Sequence, residues 1–161
     1  MWPSKSSRLT VPKAPAPKRS VPQKLVRVLM GTALVGAGVG HLTFAREEFR
    51  AQVPEFVPLA EDTTVLASGV VEITLGGALV LLARRQVTVG WVVALFFVAV
   101  FPGNVSQWLH QRDGFGLDTD TARFVRLFFQ PVLIVAVLWC TGAWRIRRQA
   151  RGRSTHRGGT K

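Results

Sequence analysis

The sequence predicts an all-α integral membrane protein, a four-helix bundle with short connections and a basic tail at each end. Three observations predict it. The 161-residue chain is 48% hydrophobic with a mean hydropathy of +0.24, yet it carries a formal charge of +12. Its apolar residues gather into four runs, Leu25–Phe44, Thr64–Ala83, Val87–Trp108 and Phe124–Trp144. Each has the ~20 residues that a helix rising ~1.5 Å per residue needs to cross a hydrocarbon core of roughly 30 Å. Lipid offers the backbone no hydrogen-bond partners, so helices are the expected spanning form, and the alternating ten-residue pattern of a β-barrel is absent from the sequence.

The basic charge would also suit a nucleic-acid module. Its distribution argues against one, because the Lys and Arg residues concentrate at the termini and the long apolar runs between them have no place in such a domain. No nucleic-acid partner is expected; the bilayer is. Residues 1–23, with Pro3, Pro12, Pro15, Pro17 and Pro22 among Ser and Lys, read as a disordered cytoplasmic tail. Residues 24–144 form the membrane domain and residues 145–161 a second basic cytoplasmic tail. A secretory signal peptide is the competing reading of Leu25–Gly40, but its leader is long and the segment after Ala45 makes a poor mature start.

The first run carries Gly36 and Gly40 in small-xxx-small register, with Gly31, Ala33, Ala37 and Gly38 nearby, so a neighbouring helix is expected to approach closely. Between the first two runs, Phe49, Val53, Phe56 and Val57 recur at helical spacing, interrupted by Pro54 and Pro58; this suggests a short helix lying on the membrane surface. The second run holds Glu72, the only one of nine acidic residues inside an apolar segment. A carboxyl group at that depth costs at least ~2.5 kcal/mol, so it faces a protein interior. Ser68, Gly69 and Gly76 surround it with small residues and turn it towards another helix.

The third run contains Phe101-Pro102-Gly103-Asn104, where Pro102 frees the Val98 carbonyl and is expected to kink or end the helix; Pro131 does the same to the Leu127 carbonyl in the fourth. The loop from Gln111 to Ala122, with Asp113, Asp118 and Asp120, reads as a solvated acidic loop, since its acids lack the spacing of an EF-hand. The single Cys140 excludes dithiol exchange within the chain and reads as packing. Sixteen Lys and Arg residues fall on the side of the two termini and the second connection, against five (Arg46, Arg50, Arg112, Arg123, Arg126) on the other side. By the positive-inside rule both termini are cytoplasmic, and the expected location is the bacterial plasma (inner) membrane.

Counting depth from the nearer outer end places His41 about 4.5 Å, Asn104 about 6 Å, Gln130 about 9 Å and Glu72 about 12 Å into the bilayer. Arg126, one turn before Gln130, is the cation expected to pair with Glu72. These five residues form the candidate site. They would serve as a structural polar cluster, as a pocket for a quinone headgroup or another small lipid-soluble ligand, or as a proton or solute path. A metal site from His41, Glu72 and His110 lacks a spacing signature, no self-contained catalytic constellation is visible, and the residues name no cofactor.

Gly38-Val39-Gly40-His41, Val53-Pro54, Ser68-Gly69-Val70-Val71-Glu72 with Leu75-Gly76, Phe101-Pro102-Gly103-Asn104, and Arg126 followed by Gln130 resemble the recurring motifs of the DoxX-like membrane proteins. The likeness runs from Leu25 to Trp144, with Gly103 where Ala is more usual and Phe128-Phe129 in place of a Pro-Leu pair. The resemblance implies a four-helix membrane fold. It also implies a subunit associated with membrane redox processes, since some relatives are linked to quinone-coupled sulfur oxidation or to membrane redox complexes. With one cysteine, redox work here would draw on an external cofactor or a redox partner. A small-solute or proton permease and a purely structural protein are the alternatives.

Overall fold

The computed structural model describes residues 19–114 and 116–144. Its elements are α1 (Val21–Leu42), α2 (Arg46–Arg50), α3 (Glu61–Leu81), a single 3-10 turn (Ala83–Arg85), α4 (Gln86–Leu109) and α5 (Asp120–Cys140), with no strand among the described residues. The four long helices are apolar and long enough to span a membrane. They carry exposed Leu29, Val70, Leu95, Phe128 and Val132 on their outer faces, as an all-α membrane bundle requires. Most of residues 1–23 and all of 145–161, read as basic tails, lie outside the described residues; Val21, Pro22 and Gln23 already belong to α1.

Helix α1 starts where Ser20 N–H donates to Gln23 Oε1 at 3.2 Å, with Pro22 in the first turn where its missing N–H costs nothing. Helix α3 opens with Glu61 and Asp62, which favour the positive end of its dipole. Its last carbonyls are taken from outside: buried Arg27 of α1 donates to the Leu79 carbonyl and, at 3.3 Å, to that of Val80. Arg27, counted above among the topology-setting charges, thus serves as an internal cap. Helix α5 begins four residues before the expected Phe124, because Thr119 Oγ1 accepts from Ala122 N–H at 3.3 Å and caps the start. It ends at Cys140, before the expected Trp144, where Gly142 adopts a φ of +68° and its N–H returns to the Trp139 carbonyl. Neither proline ends its helix; α4 continues through Pro102 and α5 through Pro131.

Helices α1 and α3 pack backbone to backbone, α4 and α5 form a second, less tightly packed pair, and the two pairs meet across sparser contacts. The first pair is held by glycines, though not at the expected positions. A Cβ on Gly38 would lie 2.5 Å from the Gly69 carbonyl oxygen, and one on Gly76 would lie 2.5 Å from that of Gly31. The crossings are therefore Gly38 with Gly69 and Gly31 with Gly76, whereas Gly36 has no atom within 4 Å and Gly40 meets only side chains of the following segment.

The start of α1 and the end of α5 are joined by Gln23 Nε2, which donates to the Trp139 carbonyl at 2.9 Å. At the opposite end, Arg112 Nη1 donates to the Val53 carbonyl at 3.1 Å and ties the two long connections together. The apolar core, with Leu79, Val93 and Val137 fully buried, fills the half of the bundle nearest the chain ends. The half nearest the connections holds a cavity instead.

Candidate functional site

The cavity measures about 640 Å³ and is lined by all four long helices and the connection between α1 and α3. All five residues singled out from the sequence, His41, Glu72, Asn104, Arg126 and Gln130, line it. Their partners differ from expectation. Glu72 meets His41, not Arg126, with Oε2 3.0 Å from His41 Nδ1. The reason is the glycine register: at the Gly38 and Gly69 crossing a Cβ on Gly69 would lie 2.7 Å from His41 Cβ, so His41 sits against α3 there and Glu72, about one turn on from Gly69, reaches its imidazole.

That contact leaves the carboxylate incompletely served. His41 Nδ1 also lies 2.9 Å from the Ala37 carbonyl one turn back, so a hydrogen on that nitrogen has a second acceptor to serve. Glu72 Oε2 touches the imidazole nitrogen but receives no hydrogen bond, although the residue is only 9% exposed. An unsatisfied buried acceptor costs about 1–3 kcal/mol, more when charged.

On the opposite wall, α4 and α5 are joined by two polar rungs. Asn104 Nδ2 donates to Gln130 Oε1 at 3.1 Å, and Arg126 Nη1 donates to Gln107 Oε1 at 3.2 Å. Gln130 Nε2 donates in turn to the Phe97 carbonyl at 2.8 Å. The amide therefore bonds the carbonyl one residue before Val98, the one freed by Pro102. The cavity thus separates an acid–imidazole wall on α1 and α3 from an amide–guanidinium wall on α4 and α5.

The connection after α1 forms the third wall. Only Arg46–Arg50 is helical there, and Phe49 and Val53 turn inward, against the expectation of a helix on the membrane surface, while Phe56 stays 74% exposed. Phe49 stacks on His41 with ring centroids 3.4 Å apart and planes at 17°. Val53 is buried, and Gln52 lies against α4 so closely that a Cβ on Gly103 would come 2.8 Å from the Gln52 carbonyl oxygen. Gln52 lines the cavity with its Nε2 buried and without a partner.

The acids of the 111–122 loop are exposed to solvent, and two of them also form ion pairs. Asp113 and Asp120 both pair with Arg123, whose side chain is 5% exposed, while Arg46 pairs with Asp62 and Arg112 with Glu55 at 2.9 Å. Of these pairs, Arg112 with Glu55 joins the two long connections and Arg46 with Asp62 joins α2 to the start of α3. His110 bonds back to the Ser106 carbonyl at 2.9 Å and does not line the cavity. Among the described residues no group of three or more His, Cys, Asp or Glu side chains is arranged to hold a metal ion. Cys140 is buried in the core, away from the site.

Sequence reasoning missed Gln107, Gln52 and the inward turn of Phe49. Gln107 had a signal, since it follows Asn104 by three residues and so shares its helix face.

The chain belongs to a family described as a domain of unknown function (DUF8561), whose model matches residues 30–141 and so includes all five candidate residues. No curated protein and no solved structure matches it.

Proposed function

We propose that this family member is a membrane-embedded binding subunit, taking a small lipid-soluble molecule such as a quinone into the cavity between its helix pairs in service of a membrane redox process. The observation that carries the reading is Glu72 Oε2, a buried acceptor without a hydrogen bond, on the wall of a 640 Å³ cavity. Cavities of ~300–1,000 Å³ with mostly apolar walls and a few convergent polar groups are where small ligands bind. A purely structural cluster would have satisfied its own acid; here Asn104 and Gln130 are matched to each other across the opposite wall while the carboxylate oxygen on the cavity wall waits for a donor.

Two further arguments support the setting. The residues that carry the DoxX-like resemblance at Gly38, His41, Gly69, Glu72, Pro102-Gly103-Asn104 and Arg126 with Gln130 lie on the walls of the cavity or at the glycine crossings, which fits the redox-linked role that the resemblance implies. The surplus of Lys and Arg on the side of the termini orients both tails to the cytoplasm and the cavity to the outer half of the bilayer. An external cofactor or partner protein would supply the electrons.

The test is mass spectrometry of small molecules copurifying with the detergent-extracted full chain. A quinone or another lipid-soluble species is expected with the natural sequence and is lost in Glu72→Gln, which removes the anionic acceptor. An identical set of bound molecules in both proteins would refute the reading.

A further inference from the structure

The lining of the cavity is not equally closed on all sides. Most of the long-helix residues that both line it and are exposed on the outside of the bundle belong to α3 and α4, Ala67 and Val71 on the one and Ala99 and Pro102 on the other, against Ala33 alone on α1. Phe56, at 74% exposure, and Val57 of the connection line it as well. Every one of these rim residues is apolar, and the helices on either side are among those that span the membrane. In a bilayer the gap between α3 and α4 faces hydrocarbon. At the end of the bundle, in contrast, the connections carry charged groups, with Arg112 paired to Glu55 and Arg123 to Asp113.

Inside, two buried polar atoms lack partners, Glu72 Oε2 and Gln52 Nε2. The first needs a donor and the second offers one, so the occupant must present both a donor and an acceptor. A hydroxyl is the smallest group that does so. A charged headgroup of either sign fits poorly, because Glu72 stands on one wall and Arg126 on another, and because a charge pays heavily to cross hydrocarbon.

We propose that the cavity is filled sideways from the bilayer, through the gap between α3 and α4, by an uncharged amphiphile whose hydroxyl headgroup is held between Glu72 and Gln52. This rests on the binding reading above and adds to it a route and a headgroup chemistry. The apolar tail of the ligand lies in the gap, along Ala67, Val71 and Ala99, and the hydroxyl reaches past them to the carboxylate.

The test uses the full chain in phosphatidylcholine nanodiscs with tritiated 1-dodecanol as the probe, and dodecyl methyl ether, dodecanoate and dodecylamine as competitors. The alcohol is expected to bind at least tenfold tighter than the ether, which cannot donate, and than either charged analogue. Ala67→Trp and Ala99→Trp, both at lipid-exposed positions, are expected to slow exchange of the probe at least tenfold while leaving the thermal midpoint of the protein unchanged. Equal binding of alcohol and ether would overturn the headgroup assignment, and unchanged exchange in both Trp variants would overturn the route. If either result accompanies a copurifying molecule that Glu72→Gln still strips, the binding reading stands and this refinement falls. If the natural sequence retains neither the probe nor any copurifying molecule, both fall.

Discussion

Substituting Gly38 by Ala tests whether the glycine crossings set the geometry of the site. The new Cβ would lie 2.5 Å from the Gly69 carbonyl oxygen, 2.8 Å from Ile73 Cγ1 and 3.0 Å from Ile73 N. A comfortable carbon-to-oxygen contact is about 3.3 Å, so α1 and α3 must part by roughly 0.8 Å at a crossing built from two backbones, neither of which can rotate away. Overpacking of this kind costs about 1–3 kcal/mol, set against a gain of up to ~1 kcal/mol from the better helix propensity of Ala. Gly36→Ala is the internal control. It gains the same propensity and meets no atom within 4 Å. The difference between the two variants is therefore the clash alone, about 1–3 kcal/mol, which at ~2–4 °C per kcal/mol for a chain of this size is a separation of roughly 2–12 °C. Thermal denaturation of the detergent-solubilised variants, followed by far-ultraviolet circular dichroism, measures it. A Gly38→Ala variant melting at or above Gly36→Ala would refute the backbone-to-backbone packing and, with it, the register that brings His41 to Glu72.

Arg27→Met keeps the apolar stem but leaves the Leu79 and Val80 carbonyls without their donor; a loss of about 1–3 kcal/mol is expected in the same melting assay, with Arg27→Lys recovering part of it. Gln130→Leu removes the bonds to Asn104 and Phe97, and at ~0.6 kcal/mol on average for each polar contact between membrane helices, with the Asn104 amide also left unmatched, it should destabilise by about 1–2 kcal/mol. A fluorescent-protein fusion at the C-terminus should light up and a periplasmic phosphatase fused there should stay inactive, with the opposite outcome for fusions in the 111–119 loop; the reverse pattern would overturn the cytoplasmic assignment of the tails.

Much of the fold is written in run lengths, because a helix that must cross hydrocarbon has little choice about how many apolar residues it needs. The inward orientation of Glu72 was likewise legible from Ser68, Gly69 and Gly76, and depth counting brought five residues on four helices to one cavity. Which of them touch was not legible. Pairing depends on which helices are neighbours and in what register, and that follows from Gly38 and Gly69, one glycine from each of two helices that contain several. Arg126 was assigned to Glu72 by charge alone, while in the bundle it stands on the α4–α5 pair within reach of Gln107. Boundaries failed where local chemistry replaces hydropathy. Helix α5 reaches back to Asp120 through Arg123, whose charge interrupts the apolar run but is matched by Asp113 and Asp120. Phe49 carried the amphipathic signature of a membrane-surface helix, and periodicity cannot distinguish a lipid surface from an imidazole ring as the thing an aromatic side chain covers.

The distribution of packing along the bundle makes it mechanically lopsided. The end that holds Leu79, Val93 and Val137 is solid, and there the Arg27 guanidinium and the Gln23 amide bolt one helix to the termini of two others. The other end is hollow and is drawn together chiefly by ion pairs among short segments. Such an object behaves like tweezers, stiff at the grip and compliant at the tips. Any change in the spacing of its two helix pairs is therefore expected to fall at the hollow end, with the core around Leu79, Val93 and Val137 left packed.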